Sequence, residues 1–368
     1  MPQLDQLLTD RFAPTLAIAF GSVDCDLDSL RKLFRQRSID LLGASTAGEI
    51  CDELVLDKSV AVLLMDLDRT AYRSWFRPCG QQSTYQVARA GGTYARETFV
   101  HPAVIVLSGG LTVDAERIVS GLKDGLGTAV PIFGGLAGDD LQMQRTFVFN
   151  QHDTTHHGLA LLVIDTDRVE VRGMAESGWQ AVGAVNTVTQ ATGNVLQQIN
   201  GEPALDVFLR YFGFFDNRVQ CGDLETMLST ISAQYPLQIL REGAEAILRS
   251  PLLGNEEDRS LLLAGGIREG DRFRFSISPG FEVVDETIQR FSDFKSHDPT
   301  PAEALLLFNC KGRHAALGPL IQNEVQGLYR EWKAPLIGFF TYGEIGPTQH
   351  GACEFHNETC CLVALREK

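Results

Sequence analysis

Leu16-Ala-Ile-Ala-Phe-Gly-Ser22, then LDSLRKLFRQR from Leu27, IDLLGASTAGEI from Ile39 and SVAVLLMDL from Ser59 follow one another in a pattern that decides the fold. The short apolar runs, bounded by Gly or polar turns, read as buried strands. LDSLRKLF instead spaces its apolar residues for one helix face, with Leu30 and Leu33 on it. The order is strand, helix, strand, glycine loop, hairpin, strand. It recurs as AVIVLSGG from Ala103, DAERIVSGLKDGLG, VPIFGGLAGDD, TFVFN and HGLALLVID. A third copy is ALLLFNC from Ala304, IQNEVQGLYREW, APLIGFFTYGEI, CEFHN and TCCLVALRE.

Strand-helix-strand units with short connections imply parallel pairing through right-handed crossovers, and the hairpins add antiparallel strands. The expectation is an α/β protein whose mixed sheets are built from three repeated strand-helix-strand-hairpin units, arranged in two lobes. The units run Leu16 to Asp66, Ala103 to Ile164 and Ala304 to Leu365. Helical STYQVARAGGTYAR and ETIQRFSDF precede the second and third units, and strand-like TAYRSWFR and RFRFSIS precede those helices. Between Val182 and Gly280 the texture changes: VNTVTQATGNVLQQING alternates like a strand, and PALDVFLRYFGF places Pro at a helix start. A domain boundary is expected between Gly178 and Gly183, giving domains 1–180 and 181–368.

Composition narrows the function. The 368 residues carry 32 Lys+Arg against 47 Asp+Glu, a net charge of −15, so a grip on polyphosphate or an anionic bilayer would work against the protein's own field. Nucleic acid and membrane are not expected as partners. Apolar runs such as Val60 to Met65 fall far short of the ~20 residues that span a bilayer. MPQLDQLLTDRF has acids where a signal peptide wants bases. The eight cysteines form no C-x-x-C and no even framework, which fits a reduced cytoplasm.

The glycine loops are the most informative match. Gly43 to Ile50 (GASTAGEI) and Gly338 to Ile345 (GFFTYGEI) are both G-x-x-T-x-G-E-I. The middle copy, Gly134-Gly135-Leu136-Ala137-Gly138-Asp139, is one residue shorter and has Asp in place of Glu. Glycine at such positions permits positive φ and close backbone approach, so exposed amides can meet an anionic group. An acid directly after the loop can accept from an ammonium or amide. The same glycines also serve simply to close a hairpin.

GASTAGEI near the N-terminus, FGGLAGDD with TFVFN in the middle, and FNCKGR followed by GFFTYGEIGP and FHNET near the C-terminus resemble the FIST sensory proteins, which pair a FIST N-terminal with a FIST C-terminal domain. The resemblance covers nearly the whole chain. It implies a bacterial signal-input module that binds a small ligand, with amino acids proposed, rather than an enzyme. Some similar members bind haem as nitric oxide sensors, so haem is a possible cofactor with an unknown axial ligand. With no kinase, cyclase or receiver segment after Lys368, output is expected through a separate protein such as a histidine kinase or a cyclic-dinucleotide enzyme. Carried over by motif, the expected ligand-binding residues are Ser45, Thr46, Gly48 and Glu49 in the first loop, Gly135 and Asp139 in the middle one, and Thr341, Tyr342, Gly343 and Glu344 in the last. Arg313, in FNCKGR at a strand end, adds a guanidinium fork suited to a carboxylate or phosphate. Its structural alternative is an ion pair with Glu344 or Glu49.

Other chemistries find less support. A serine nucleophile needs the elbow G-x-S-x-G, and Gly43-Ala44-Ser45-Thr46-Ala47 falls one glycine short. No G-x-x-x-x-G-K-[ST] or strand-bound G-x-G-x-x-G is present. His152, His156 and His157 read as a solvated hairpin loop rather than a metal site. An enzyme acting on a small amine or acyl substrate is the minority reading.

Overall fold

The computed structural model describes residues 12–213, 232–278, 280–348 and 351–368. The N-terminal segment read above for a leader, and Cys221, lie outside these residues. The first unit comprises β1 (Leu16–Gly21), α1 (Leu27–Gln36), β2 (Asp40–Ser45), the hairpin β3 (Glu49–Cys51) and β4 (Leu54–Leu56), and β5 (Val60–Met65). Asp26 caps α1 by accepting from Ser29 N–H, and Leu27, Leu30 and Phe34 form its buried stripe, with Leu33 half-buried beside them. The second unit is led by β6 (Tyr72–Pro78) and α2 (Thr84–Thr98). It continues with β7 (Pro102–Ser108), α3 (Ala115–Leu126), β8 (Ile132–Leu136), the short pair β9 (Val148–Phe149) and β10 (Thr154–Thr155), and β11 (Gly158–Asp165).

The chain then makes β12 (Val169–Glu176) and leaves for a separate eight-stranded sheet. That sheet holds β13 (Gln180–Thr192), β14 (Val195–Ile199), β15 (Glu202–Pro203), β16 (Leu237–Leu240), β17 (Ile247–Arg249), β18 (Pro251–Gly254), β19 (Leu261–Leu263) and β20 (Arg272–Ile277). The helix α4 (Ala204–Tyr211) packs on it around Phe208, Phe273 and Phe275. The third unit follows: α5 (Glu282–His297), β21 (Ala304–Cys310), α6 (Lys311–Leu317), α7 (Leu320–Trp332), β22 (Leu336–Thr341), the hairpin β23 (Glu344–Pro347) and β24 (Cys353–His356), and β25 (Cys360–Glu367).

All three units pair alike. A parallel pair, β1–β2, β7–β8 or β21–β22, is flanked by an antiparallel last strand, β5, β11 or β25. The hairpins, however, do not stay at home. The β3 strand of unit one pairs with β22 of unit three, β23 of unit three pairs with β8 of unit two, and β9 of unit two pairs with β2 of unit one. Each unit thus completes the next one's sheet, and the exchange closes into a ring. The inner faces of the three sheets share one core, where Phe20 of the first sheet meets Phe339 at 4.4 Å and Phe308 at 6.3 Å in the third. Helices cover the outside: α1 on the first sheet, α2 and α3 on the second, α5 and α7 on the third.

The ring is one lobe and the eight-stranded sheet the other. One sequence reading needs correction here. RFRFSIS is β20 of the second lobe, not the leading strand of unit three. That role belongs to β12, which pairs with β25 as β6 pairs with β11. The second lobe is inserted between a leading strand and its helix. Leading strand and helix need only meet in space, so that connection tolerates a large insertion.

Candidate functional site

The parallel pairs all end at the same place, and the three glycine loops meet there through their backbones. Phe340 N–H donates to Gly48 O at 2.9 Å and Ala47 N–H to Phe340 O at 3.0 Å. Leu136 N–H donates to Gly343 O at 2.9 Å and Tyr342 N–H to Leu136 O at 3.1 Å. Gly138 N–H reaches Ser45 O at 2.9 Å, and Asp140 N–H reaches Thr46 O at 3.1 Å. Such carboxyl ends of strands are where open α/β sheets leave room for a ligand.

The shared G-x-x-T-x-G-E-I spacing builds one device twice. Thr46 hydroxyl donates to Glu49 Oε1, while Ser59 N–H and Oγ donate to Oε2 at 3.0 and 2.7 Å. In the last loop Thr341 hydroxyl donates to Glu344 Oε1, and Thr359 N–H and Oγ serve Oε2 at 3.3 and 2.6 Å. Gly48 and Gly343, at φ +117° and +149°, let the chain turn so that Thr and Glu meet. Both carboxyls are fully buried, and burial outweighs these donors: Glu49 is raised, and Glu344 is pushed up to about 8.

Asp139 is likewise saturated from within. It accepts from the N–H groups of Met143, Gln144 and Arg145 at 3.1, 2.7 and 2.9 Å, and from the Tyr342 hydroxyl at 2.5 Å. Burial, then Asp139, hold that phenol well above its usual range. Ser45 Oγ donates to Gly138 O at 2.7 Å and accepts from Phe147 N–H at 2.9 Å, and Gly135 pairs with Glu344 in the β8–β23 ladder. Arg313 is enclosed too. Its guanidinium meets both oxygens of Glu324 on α7, with Nη2 at 2.5 Å from Oε2 and both side chains fully buried. It also donates to Ser177 O and to Thr287 Oγ1 at 2.9 Å, and lies 5.1 Å over the Trp179 ring. Burial alone would lower this cation, and Glu324 outweighs it, so the net shift is upward. Its carboxylate partner is therefore neither Glu49 nor Glu344.

Another cation stands beside these loops. Lys311, two residues before Arg313 in FNCKGR, is half-buried and forms no ion pair among the described residues. Its Nζ lies 3.2 Å from His314 Nδ1 and 5.6 Å from the centre of the Phe340 ring, on which His314 stacks at 4.2 Å. Burial lowers the ammonium against the pull of Asp57, Asp140 and Glu49. Burial and then Lys311 push His314 down to about 4, so its imidazole is neutral at pH 7 and Nδ1 accepts from the ammonium. The first loop ties the cluster together. A side chain on Gly48 would sit 3.0 Å from Phe340 Cδ2 and 3.3 Å from Asp57 Oδ1. Asp140, at φ +54°, accepts from Ser22 Oγ at 2.6 Å. Sequence reasoning passed over Lys311 because a guanidinium fork suits a carboxylate better; the available signal was its place as the first residue after β21.

A groove of about 850 Å³ lies elsewhere, lined by Pro131, Ile132, Phe133, Arg172, Phe294 and Cys353 among others. It sits at the start of β8, the end remote from the glycine loops. Its described lining holds no imidazole, and its one thiol, Cys353, is buried, which pushes its pKa to about 12. Among the described residues, no group of three or more His, Cys, Asp or Glu is placed to hold a metal, and His156 Nδ1 is bound to Thr146 O at 3.0 Å. No described helix is long and apolar enough to cross a membrane.

No curated protein matches the chain. Two family models do: the FIST N domain over residues 15–202 and the FIST C domain over 204–347. Together they run from β1 to β23, taking in the inserted lobe and the three glycine loops, and the chain belongs to the FIST family of sensory, signal-transduction domains.

Proposed function

We propose that this chain is the ligand-sensing input of a signalling pair. It holds an amino acid, or a similar small zwitterion or carboxylate, where the three glycine loops meet, and reports to a separate signalling protein such as a histidine kinase or a cyclic-dinucleotide enzyme. The observation that carries the reading is Lys311: a half-buried ammonium in no ion pair among the described residues, at the strand ends where the three units converge. A ligand carboxylate can pair with this ammonium at contact distance, and Asp57 and Asp140, which attract it without an ion pair to it, are acceptors for an ammonium. The crevice also has a mechanical link outward. Lys311 opens α6, and Arg313 on the same turn grips α7 through Glu324, α5 through Thr287, and Ser177 at the root of the inserted lobe. The candidate nucleophile Ser45 and the acids Glu49 and Glu344 are each engaged in hydrogen bonds inside the protein, which favours the sensor reading over an enzyme that would use them.

The test is a thermal-shift screen against unmodified amino acids and haem. A ligand that binds only the folded state adds RT ln(1 + [L]/Kd), about 2.7 kcal/mol at 100 Kd. The expected result is a shift with amino acids that Lys311→Ala removes. A Soret band on haem-loaded protein, with no amino-acid response, would replace this reading with gas sensing.

A further inference from the structure

Resting on that reading, we infer that the ligand is a basic α-amino acid, one carboxylate and two cations, held in the crevice of the first unit. The argument starts from the internal repeat. Ser59 and Thr359 cap Glu49 and Glu344 in the same way, so Asp57-Lys58 and Asn357-Glu358 occupy equivalent positions. Lys58 and Glu358 even share the left-handed backbone, at φ +50° and +56°. The two positions have opposite surroundings. Asn357 and Glu358 are 2% and 1% exposed, and Ser250 of the inserted lobe donates to Glu358 Oε1 at 2.7 Å. Asp57 and Lys58 are exposed. The inserted lobe covers this loop in the third unit, and its counterpart in the first unit stays exposed.

Charge then selects the ligand. Lys58 is 3.4 Å from Asp24, so these two offset each other. Among the described residues, the charges that remain around Gly48 and Phe340 are Lys311 against Asp57 and Asp140, with Glu49 raised by burial and held by Thr46 and Ser59. A neutral zwitterion brings one charge of each sign and leaves an acid unmatched. An acidic amino acid makes the mismatch worse. A second cation on the side chain completes the match, with the carboxylate on Lys311 and the two ammonium or guanidinium groups on the two aspartates. The neutral His314 ring stacked on Phe340 adds a flat, weakly polar wall against which an alkyl stem or guanidinium can lie.

The experiment titrates the whole chain with L-lysine, L-arginine, L-alanine, L-glutamate and the diamine cadaverine at fixed pH and salt, by calorimetry. Charge-assisted hydrogen bonds set the scale. L-lysine or L-arginine should bind about 10- to 100-fold more tightly than L-alanine, and L-glutamate more weakly than either. Lys311→Met should cost the basic amino acids about 10- to 100-fold while leaving cadaverine affinity equal or higher. Asp57→Asn should erase the preference for basic over neutral amino acids, with unligated Tm and circular dichroism unchanged. Equal binding of alanine and lysine overturns this inference and leaves the sensor reading standing. Binding of cadaverine as tight as L-lysine removes the carboxylate contact at Lys311. No response to any amino acid sinks both.

Discussion

Burial dominates two of the acid residues, and it has a sign that can be measured. Glu344 and Glu358 are both pushed up to about 8, far above the ~4.3 of an unfolded Glu. Between those values the folded protein keeps protons that the unfolded chain has released, so stability falls as pH rises through that window. His356 acts oppositely: burial lowers it to about 4, and its contribution is lost as pH falls from about 6.5 towards 4. Urea midpoints should therefore be lower at pH 8.5 than at pH 6.5, and Glu358→Gln should flatten that slope; identical midpoints for the unsubstituted chain would refute the assignment. Arg313 makes the complementary case. Removing one member of a fully buried pair strands the other, so Arg313→Ala should lose about 3–5 kcal/mol in chemical denaturation. The ligand-induced shift should survive in whatever fraction remains folded. A variant of normal stability that no longer responds to ligand would return Arg313 to the binding site.

At the scale of elements, the loops and helices were legible and their neighbours were not. Leu30 marks the buried stripe of α1 because helix periodicity is a local property, readable from one stretch of chain. The matched G-x-x-T-x-G-E-I loops were legible as a pair for the same reason. Their purpose was not: Thr46 and Glu49 meet across one turn, but the third member, Ser59, arrives from beyond a hairpin. Gly343 tests the device directly. At φ +149° and with a Cβ destined to lie 2.3 Å from Phe355 Cε2, Gly343→Ala should cost about 1–3 kcal/mol by thermal unfolding. Gly318→Ala, where a Cβ meets nothing within 4 Å, isolates the backbone share of that cost. Equal losses at the two positions would show that steric contact with Phe355 contributes nothing.

The whole molecule is held by exchange. Because β3–β4 is seated on the third unit's sheet and β12 pairs with β25, the first 202 residues leave apolar strands without neighbours. A fragment of residues 1–202 should show no cooperative thermal transition and should bind a hydrophobic dye; a sharp melt would mean that the first two units close without the third. Three repeats, their parallel pairs, their helices and their glycine turns follow from residue spacing alone, since hydrophobic period and backbone φ are properties of a few adjacent residues. Which sheet accepts each hairpin depends on which edge is free once the others have packed. That Arg313 is spent on Glu324 while Lys311 forms no ion pair among the described residues depends on where α7 lies. These outcomes are settled by contacts between residues far apart in the chain, whose energies appear only after the ring has closed.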